Sequence, residues 1–152
     1  MANALVKIDI HLVFHVKSRG ILMRKEDLPR IFEYIGGIIK NINGVPITIG
    51  GVENHVHVLA TLPKTMALTD FVRTIKANSS KWIKQIDDYY AQFCWQDGYG
   101  AFSVSPSLLD TAIKYICNQE EHHKKQTFYE EYKSILDTHG IQYDEKYAFE
   151  KE

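Results

Sequence analysis

The 152-residue sequence has only two cysteines and four prolines, and it lacks long apolar runs. Cys94 and Cys117 are too few for a disulfide scaffold and do not form a Cys-x-x-Cys pair, so we expect them to be reduced, small apolar residues. No apolar run reaches the roughly 20 residues that a membrane span needs. Lys7 and Asp9 interrupt the stretch where a signal peptide would need its apolar core. These absences predict a cytoplasmic protein.

The sequence also lacks a strong excess of either charge, with 18 basic and 19 acidic residues and a formal net charge of -1. This balance argues against a protein that coats DNA non-specifically, because such proteins are usually clearly basic. The charges are unevenly distributed, however. Residues 1–84 contain 12 basic and 6 acidic residues, whereas residues 85–152 contain 6 basic and 13 acidic residues. The N-terminal part is therefore distinctly positive.

The apolar residues follow strand and helix periods in turn, and 45% of the chain is hydrophobic. Period-2 or β-branched runs predict strands over residues 8–16, 45–52, 55–61 and 101–104. Helical spacing predicts helices over about 28–42, 67–88, 108–125 and 128–138. The order βαββαβ followed by helices predicts an α+β fold, namely a ferredoxin-like (RRM-like) antiparallel sheet with helices on one face and extra C-terminal helices. We expect one domain over residues 1–152, with a core over about 5–125 and a C-terminal helix and acidic tail over about 126–152.

The segment Glu53-Asn54-His55-Val56-His57 contains two histidines at alternate strand positions. Residues i and i+2 of a strand point to the same face, so His55 and His57 project together while Val56 points to the core. Two adjacent imidazoles form half of a divalent-metal site, which would need a third ligand from elsewhere. The alternative is a pair of polar residues on a solvated sheet face.

A second group of polar residues is predicted to share one face of the helix over 108–125. At about 100° per residue, Tyr115 and Gln119 lie only roughly 40° apart, His122 returns close to Tyr115, and His123 lies to the side. A tyrosine can attack phosphorus when its hydroxyl is ionised, and a glutamine oxygen can bind a hard cation. The alternative is a tyrosine at the edge of the core, since the chain has nine tyrosines.

Taken together, these motifs resemble the small single-tyrosine HUH transposases of insertion sequences, where HUH denotes His-hydrophobic-His. The resemblance extends through most of the chain. Its motifs are the opening strand Ile10–Phe14 with the following Lys17 and Arg19, the segment 53–57, the helix segment 76–80, the segment 95–105, and the residues Tyr115–Gln119 and Glu121–His123. No single motif is decisive, but their order and spacing together are highly specific.

The resemblance implies an enzyme that cleaves and rejoins single-stranded DNA at the ends of its element through a 5′-phosphotyrosine intermediate. It implies Tyr115 as the nucleophile and His55, His57 and Gln119 as ligands of Mg²⁺ or Mn²⁺. It also implies DNA with hairpin ends as the substrate, and a homodimer in which the tyrosine helix can complete the partner's site. Many relatives have Asp before the first histidine, whereas this chain has Asn54, so any assistance from that position is weaker or neutral.

Basic and aromatic side chains supply candidate DNA contacts. Cations on and around the second predicted helix suit phosphate contacts, which position a strand rather than read its sequence. Trp95, Tyr99 and Phe102 could stack unpaired bases, although core packing is favoured for Phe102. The candidate DNA-binding residues are Lys17, Arg19, Lys64, Arg73, Lys76, Lys81, Lys84 and Tyr99.

Two other functions stay open at this stage. One is a non-catalytic nucleic-acid-binding module on the same fold, and the other is a domesticated relative that nicks hairpin DNA for its host. The stretch from Glu130 onward contains seven acidic and three basic residues. We expect it to be a solvated helix and tail that does not lie on DNA.

Overall fold

Four strands form one antiparallel sheet in a computed structural model, which describes residues 4–144. The order across the sheet is β2-β3-β1-β4. The strands are β1 (Asp9–His15), β2 (Val45–Val52), β3 (His55–Thr61) and β4 (Gly100–Ser103). Val52 pairs with His55 across the turn at Glu53-Asn54, so β2 and β3 form a hairpin. The predicted α+β fold class is confirmed.

Two helices pack on one face of the sheet and three on the other. The first pair is α1 (Leu28–Asn41) and α2 (Leu68–Ile83), whose apolar residues join those of β1 and β3 in the main core. The other three are α3 (Leu109–Cys117), α4 (Gln119–His123) and α5 (Phe128–Thr138). Among the described residues, no helix is both long and apolar enough to cross a membrane.

Two predicted helices are shorter than their apolar patterns suggest. The helix predicted over 67–88 ends at Ile83, and a short 3₁₀ turn follows at Asp88–Tyr90. The helix predicted over 108–125 is divided at Asn118, which has φ -99° and ψ 22° and separates α3 from α4. The apolar spacing continues past Ile83 and past Asn118. It depends on which side chains are buried and not on where the backbone hydrogen bonds of a helix end.

The prediction that the C-terminal helix is solvated is wrong. Thr127 and Glu130 form a capping box that starts α5. Tyr132 and Leu136 of α5 then pack with Val13 and Phe102 in a second, smaller apolar cluster on the sheet. Helix α5 is therefore part of the packed domain, while the acidic residues after position 144 lie outside the described residues.

Gly50 explains how closely α3 approaches the sheet. A Cβ atom at this β2 position would lie 2.4 Å from the carbonyl oxygen of Ile116 in α3. Only glycine fits such a contact, because backbone atoms cannot move aside as the tip of a side chain can. The contact holds α3, and hence Tyr115, against the same sheet that carries the His-Val-His strand.

Candidate active site

Strand β3 places His55 and His57 together, on the sheet face opposite Val56 and Val58, as the alternation predicted. Both imidazoles are fully buried, with 0% exposure. They are not on a solvated sheet face, because helices α3, α4 and α5 cover them. The ring of Phe128 in α5 stacks on His55 at a centroid distance of 4.3 Å.

The helices bring Tyr115 and Gln119 to the two histidines. Gln119, the first residue of α4, places its Oε1 3.0 Å from His55 Nε2. The Tyr115 ring lies edge-on to His57 at a centroid distance of 5.8 Å. The structure thus collects all four residues that the resemblance named for the centre.

Glu131 of α5 lies at the middle of this cluster and was not predicted. Its Oε1 is 3.1 Å from His57 Nε2 and 3.3 Å from His55 Nε2. Its Oε2 accepts hydrogen bonds from the Tyr115 hydroxyl and from Gln119 Nε2. The available signal was its place among Phe128, Tyr132 and Leu136 on the apolar stripe of α5, where a solvated acid is unexpected.

The break at Asn118 brings His123 into the cluster, whereas His122 lies beside Tyr115 as predicted. His123, which helical spacing placed to the side, has its Nε2 3.1 Å from Gln119 Oε1 and 3.2 Å from Glu131 Oε1. His122 packs against the Tyr115 ring at a centroid distance of 4.5 Å, which confirms its predicted place. The expectation for His123 was wrong because α4 does not continue the rotation of α3.

The polar atoms around His55 are arranged to surround a cation. His55 Nδ1 is 2.7 Å from Asn54 Oδ1, so a neutral ring that donates there has a lone pair on Nε2. Gln119 donates its Nε2 hydrogen to Glu131 Oε2, so its Oε1 is an acceptor. His55 Nε2 is then 3.0 Å from Gln119 Oε1 and 3.3 Å from Glu131 Oε1. Lone pairs at this separation repel one another unless a hydrogen on His55 Nε2 or a cation lies between them.

A divalent metal fits this arrangement. His55, His57 and Glu131 each offer one ligand atom, and these atoms lie within 4.8 Å of one another. Two ligands about 2.1 Å from a metal lie about 3 Å apart at right angles, close to the separations found here. Imidazole nitrogen and carboxylate oxygen are ligands for several divalent ions, so the donor set does not select one metal.

The pKa values of the cluster follow from burial and from its single carboxylate. Burial lowers the pKa of His55 to about 4, despite the opposing hydrogen bond to Glu131. In the absence of a cation, burial alone would raise the pKa of Glu131, but hydrogen bonds from His55 and His57 outweigh it and hold that pKa far below its usual range. Burial, and then the Glu131 carboxylate, raise the pKa of Tyr115. Without a cation the tyrosine is therefore a neutral phenol.

Two of the predicted DNA contacts lie beside this cluster. Lys17 and Arg19 follow β1 and line a cleft of about 490 Å³ together with Asn54 and Phe128. Asn54 and Phe128 both touch His55. The cleft therefore leads from two exposed cations to the edge of the buried centre.

Other predicted contacts lie across the sheet from the cluster. Arg73 and Lys76 of α2 line a cleft of about 400 Å³ with Tyr99, which is half-buried. Lys76 donates to the carbonyl oxygens of Gln96 and Gly98, at 2.7 Å each. The remaining cations of this group are exposed, namely Lys64, Lys81 and Lys84.

The structure excludes one suggested base-stacking residue. Trp95 is only 4% exposed and packs against the rings of Phe14 and Phe93. Its Nε1 donates to Ser79 Oγ at 3.0 Å. Phe102 is equally buried in the smaller cluster, as expected. Trp95 was misjudged because the sequence does not show which side of its turn faces the core.

Comparisons with known proteins agree with this geometry. The model of a family described as "Transposase IS200 like" matches residues 4–119. A crystal structure assigned as a transposase from Deinococcus radiodurans R1 superposes with a TM-score of 0.61 at 18% identity, over 78% of this chain and 95% of that one. A REP-associated tyrosine transposase bound to a REP hairpin superposes with a TM-score of 0.59 at 13% identity, over 81% of this chain and 73% of that one.

These two structures show the shared fold, because their sequence identities are low. A search of curated proteins found no match. The family assignment instead depends on the family model, which spans well over half of the sequence. The chain belongs to the family of IS200-like transposases.

Proposed function

We propose that this chain is a transposase domain that cleaves and rejoins single-stranded DNA at insertion-sequence ends, with Tyr115 as the nucleophile. The observation that carries the proposal is the convergence of the Tyr115 hydroxyl with His55, His57 and Gln119 in one buried cluster. The proposal covers residues 1–152 as a single catalytic domain. Membership of the IS200-like family supports the DNA-cleaving chemistry.

His55, His57 and Gln119 would hold a divalent cation, Mg²⁺ or Mn²⁺, with Glu131 as an additional anionic ligand. When bound, such a cation polarises a phosphodiester and neutralises the charge that develops on it. Glutamine and carboxylate oxygens suit a hard cation of this kind, and the two imidazoles complete the set. Glu131 was not among the ligands expected from the resemblance.

The reaction exchanges one phosphoester bond for another. A bond forms between Tyr115 Oη and phosphorus, the bond from phosphorus to the 3′ oxygen breaks, and the products are a 5′-phosphotyrosine and a 3′-hydroxyl. The phenolic hydrogen that Tyr115 shares with Glu131 Oε2 balances the proton that the 3′ oxygen gains. Rejoining is the reverse attack by a 3′-hydroxyl, so ATP is not required. The sequence accordingly has no Gly-x-x-x-x-Gly-Lys-Ser/Thr motif.

The proposed substrate is single-stranded DNA that carries a hairpin. The structural relative that binds a REP hairpin supports this choice through its shared fold. Lys17 and Arg19 are placed to hold the strand that enters the centre. The cations of α2 and its surroundings would contact phosphates of the folded part of the DNA, on the other side of the sheet. Tyr99, in the α2 cleft, would stack an unpaired base.

A homodimer is also part of the proposal. One chain already brings Tyr115 to its own His57, so the shared arrangement of some relatives is not needed to form the cluster. Mixing Tyr115→Phe with His57→Ala chains distinguishes the two arrangements. Restored activity would indicate sites shared between chains, whereas separate sites leave the mixture inactive. Sedimentation at micromolar concentration tests the dimer itself.

Trapping the covalent adduct tests the function. Wild-type protein with Mn²⁺ and a single-stranded oligonucleotide from the DNA flanking its own gene should form an adduct that survives denaturant. Tyr115→Phe should bind the same DNA and form no adduct. Binding without an adduct in the wild-type protein would instead indicate a non-catalytic nucleic-acid-binding module. Flanking hairpins and several near-identical gene copies would favour a mobile element over a domesticated nicking enzyme.

A further inference from the structure

His11 contacts the centre from β1 without reaching the atoms that face a cation. Its Nε2 lies 2.7 Å from His57 Nδ1, the ring nitrogen of His57 that points away from Glu131. The ring centroids are 4.9 Å apart, which is about the N···N distance plus the radii of the two rings. The two nitrogens therefore lie on the line that joins the ring centres. The antiparallel pairing of β1 with β3 sets this approach, because Val13 pairs with His57 and His11 lies one same-face position away.

Two imidazole nitrogens in contact share one hydrogen. Whether that hydrogen is bonded to His57 or to His11 determines whether His57 can bind a cation. If His57 Nδ1 donates to His11, the lone pair of a neutral His57 is on Nε2, which faces Glu131 Oε1 at 3.1 Å. If His11 donates, the hydrogen of a neutral His57 is on Nε2, and that nitrogen cannot bind a cation. Only the first arrangement makes His57 a ligand.

We propose that His11 is a positioning residue that accepts the Nδ1 hydrogen of His57 and thereby directs the Nε2 lone pair of His57 toward a divalent cation. Histidine ligands almost always donate their second N–H to an acceptor, usually a carboxylate, a backbone carbonyl or water. Here the acceptor is another imidazole. His55 has its own acceptor, Asn54 Oδ1, at 2.7 Å.

The surroundings of His11 hold its ring in this role. Phe102 and Tyr115 lie edge-on to it, at centroid distances of 6.1 Å and 6.4 Å. The half-buried ring of His11 packs between these two aromatic side chains. The inference depends on the proposed function only in that the cation is the one held by His55 and His57.

The tautomers are measurable without DNA or activity. In ¹⁵N-histidine-labelled protein saturated with Mg²⁺, two-bond ¹H–¹⁵N correlations should show hydrogen-bearing Nδ1 on His57 and an unprotonated Nε2 on His11. Hydrogen on His57 Nε2 in the loaded protein would overturn the proposal. This measurement needs only the wild-type protein, so its result does not depend on whether a variant folds.

Substitutions provide the second measurement. His11→Phe keeps a flat ring but removes the acceptor, and its Mn²⁺ affinity should fall about 10- to 100-fold, as for other partners of metal ligands. His11→Gln, which retains an acceptor oxygen, should recover most of that loss. The control Tyr89→Phe removes a hydrogen-bonding group from an exposed residue whose hydroxyl donates to Leu22 O, and should bind Mn²⁺ as the wild type does.

Wild-type Mn²⁺ affinity in a folded His11→Phe protein would contradict the inference. Wild-type protein that binds no Mn²⁺ would overturn it together with the metal assignment. Failure of the proposed function gives a different result: the tautomers and the affinity loss would be as described, yet Tyr115 would form no DNA adduct.

Discussion

The Tyr115 hydroxyl donates a hydrogen bond to Oε2 of Glu131, a residue that lies on a different helix. The other oxygen of the same carboxylate is 3.1 Å from His57 Nε2. One side chain of α5 therefore connects the candidate nucleophile to the candidate metal ligands. Helix α5 begins after the part of the chain that the family model matches.

Glu131→Gln should impair both metal binding and adduct formation, because it removes the only negative charge that contacts His55 and His57 in the described part of the chain. Losing even an indirect partner of a metal ligand costs about 10- to 100-fold in affinity, so the Mn²⁺ affinity should fall by about 100-fold or more. Calorimetric Mn²⁺ titration measures this loss. Glu121→Gln, an exposed site paired with Lys124, is the matched control and should retain wild-type affinity. Equal affinities in the two variants would exclude Glu131 as a ligand.

Adding a divalent cation should raise the melting temperature, because a ligand that binds only the folded chain stabilises it. At a concentration 100 times the dissociation constant, the gain is about 2.7 kcal/mol. For a domain of this size, the corresponding shift is about 5–10 °C. Calorimetric scans with Mn²⁺ and with EDTA measure it. The shift should be absent in His55→Ala/His57→Ala, and a shift that persists there would place the cation elsewhere.

Gly50→Ala should displace α3 from β2, since the added Cβ would lie 2.4 Å from Ile116 O. Because Tyr115 precedes Ile116, adduct formation should slow at least about tenfold, as small misplacements of a reacting group cost up to about 100-fold. Single-turnover adduct kinetics measure the effect. Gly37→Ala in α1 is the control: a Cβ there meets no atom within 4 Å, and helix propensity favours alanine. Wild-type kinetics in Gly50→Ala would show that α3 tolerates the shift.

Lys17→Gln/Arg19→Gln should weaken binding of single-stranded DNA and reduce its salt dependence. Removing one phosphate-neutralising cation lowers the slope of log affinity against log salt by about 0.7 on single strands, so removing two lowers it by about 1.4. Fluorescence anisotropy between about 50 and 200 mM salt measures both the DNA affinity and its salt dependence. Lys124→Gln/Lys125→Gln removes two exposed cations from the end of α4 and is the matched control. An unchanged slope in the first variant would remove these residues from the interface.

Asp27 should make stability depend on pH in the acid range. Burial raises the pKa of Asp27, but hydrogen bonds from Tyr90, Arg30 and Arg24 outweigh it, so the folded pKa lies below the usual value. The ionised carboxylate therefore stabilises the fold above about pH 4, where the unfolded chain is also ionised, and this stabilisation is lost as the pH falls through the folded pKa.

Urea unfolding of wild type and Asp27→Asn measures this contribution. The variant should be less stable at pH 7, by about 1.5–3 kcal/mol for the removed hydrogen bonds to a charged group. The difference should narrow as the pH falls below about 4, because the unfolded chain then takes up a proton that folded Asp27 resists. Asp88→Asn, which removes an exposed carboxylate, is the control for the loss of one negative charge. A constant difference for Asp27→Asn across this range would refute the role of its charge.

Much of the fold and half of the site could be predicted because they depend on local pattern. Alternation along β3 places His55 and His57 on one face, and the order of the elements specifies the sheet. Tyr115 and Gln119 still meet at Glu131 despite the break at Asn118, because Gln119 follows the break directly and Tyr115 lies only three residues before it. The same break reversed the expectation for His123, since helical periodicity holds only within one helix.

The sequence alone thus determined the four-stranded sheet and the His-Val-His pair through short-range periods of burial, and its resemblance to a known family named Tyr115 and Gln119. Only the tertiary structure decided that Glu131 of α5 and His11 of β1 join them. Both residues reach the centre through non-local packing: α5 buries Tyr132 and Leu136 against the sheet, and β1 pairs with β3. Such packing depends on which apolar surfaces cover one another, and no spacing along the chain encodes that directly.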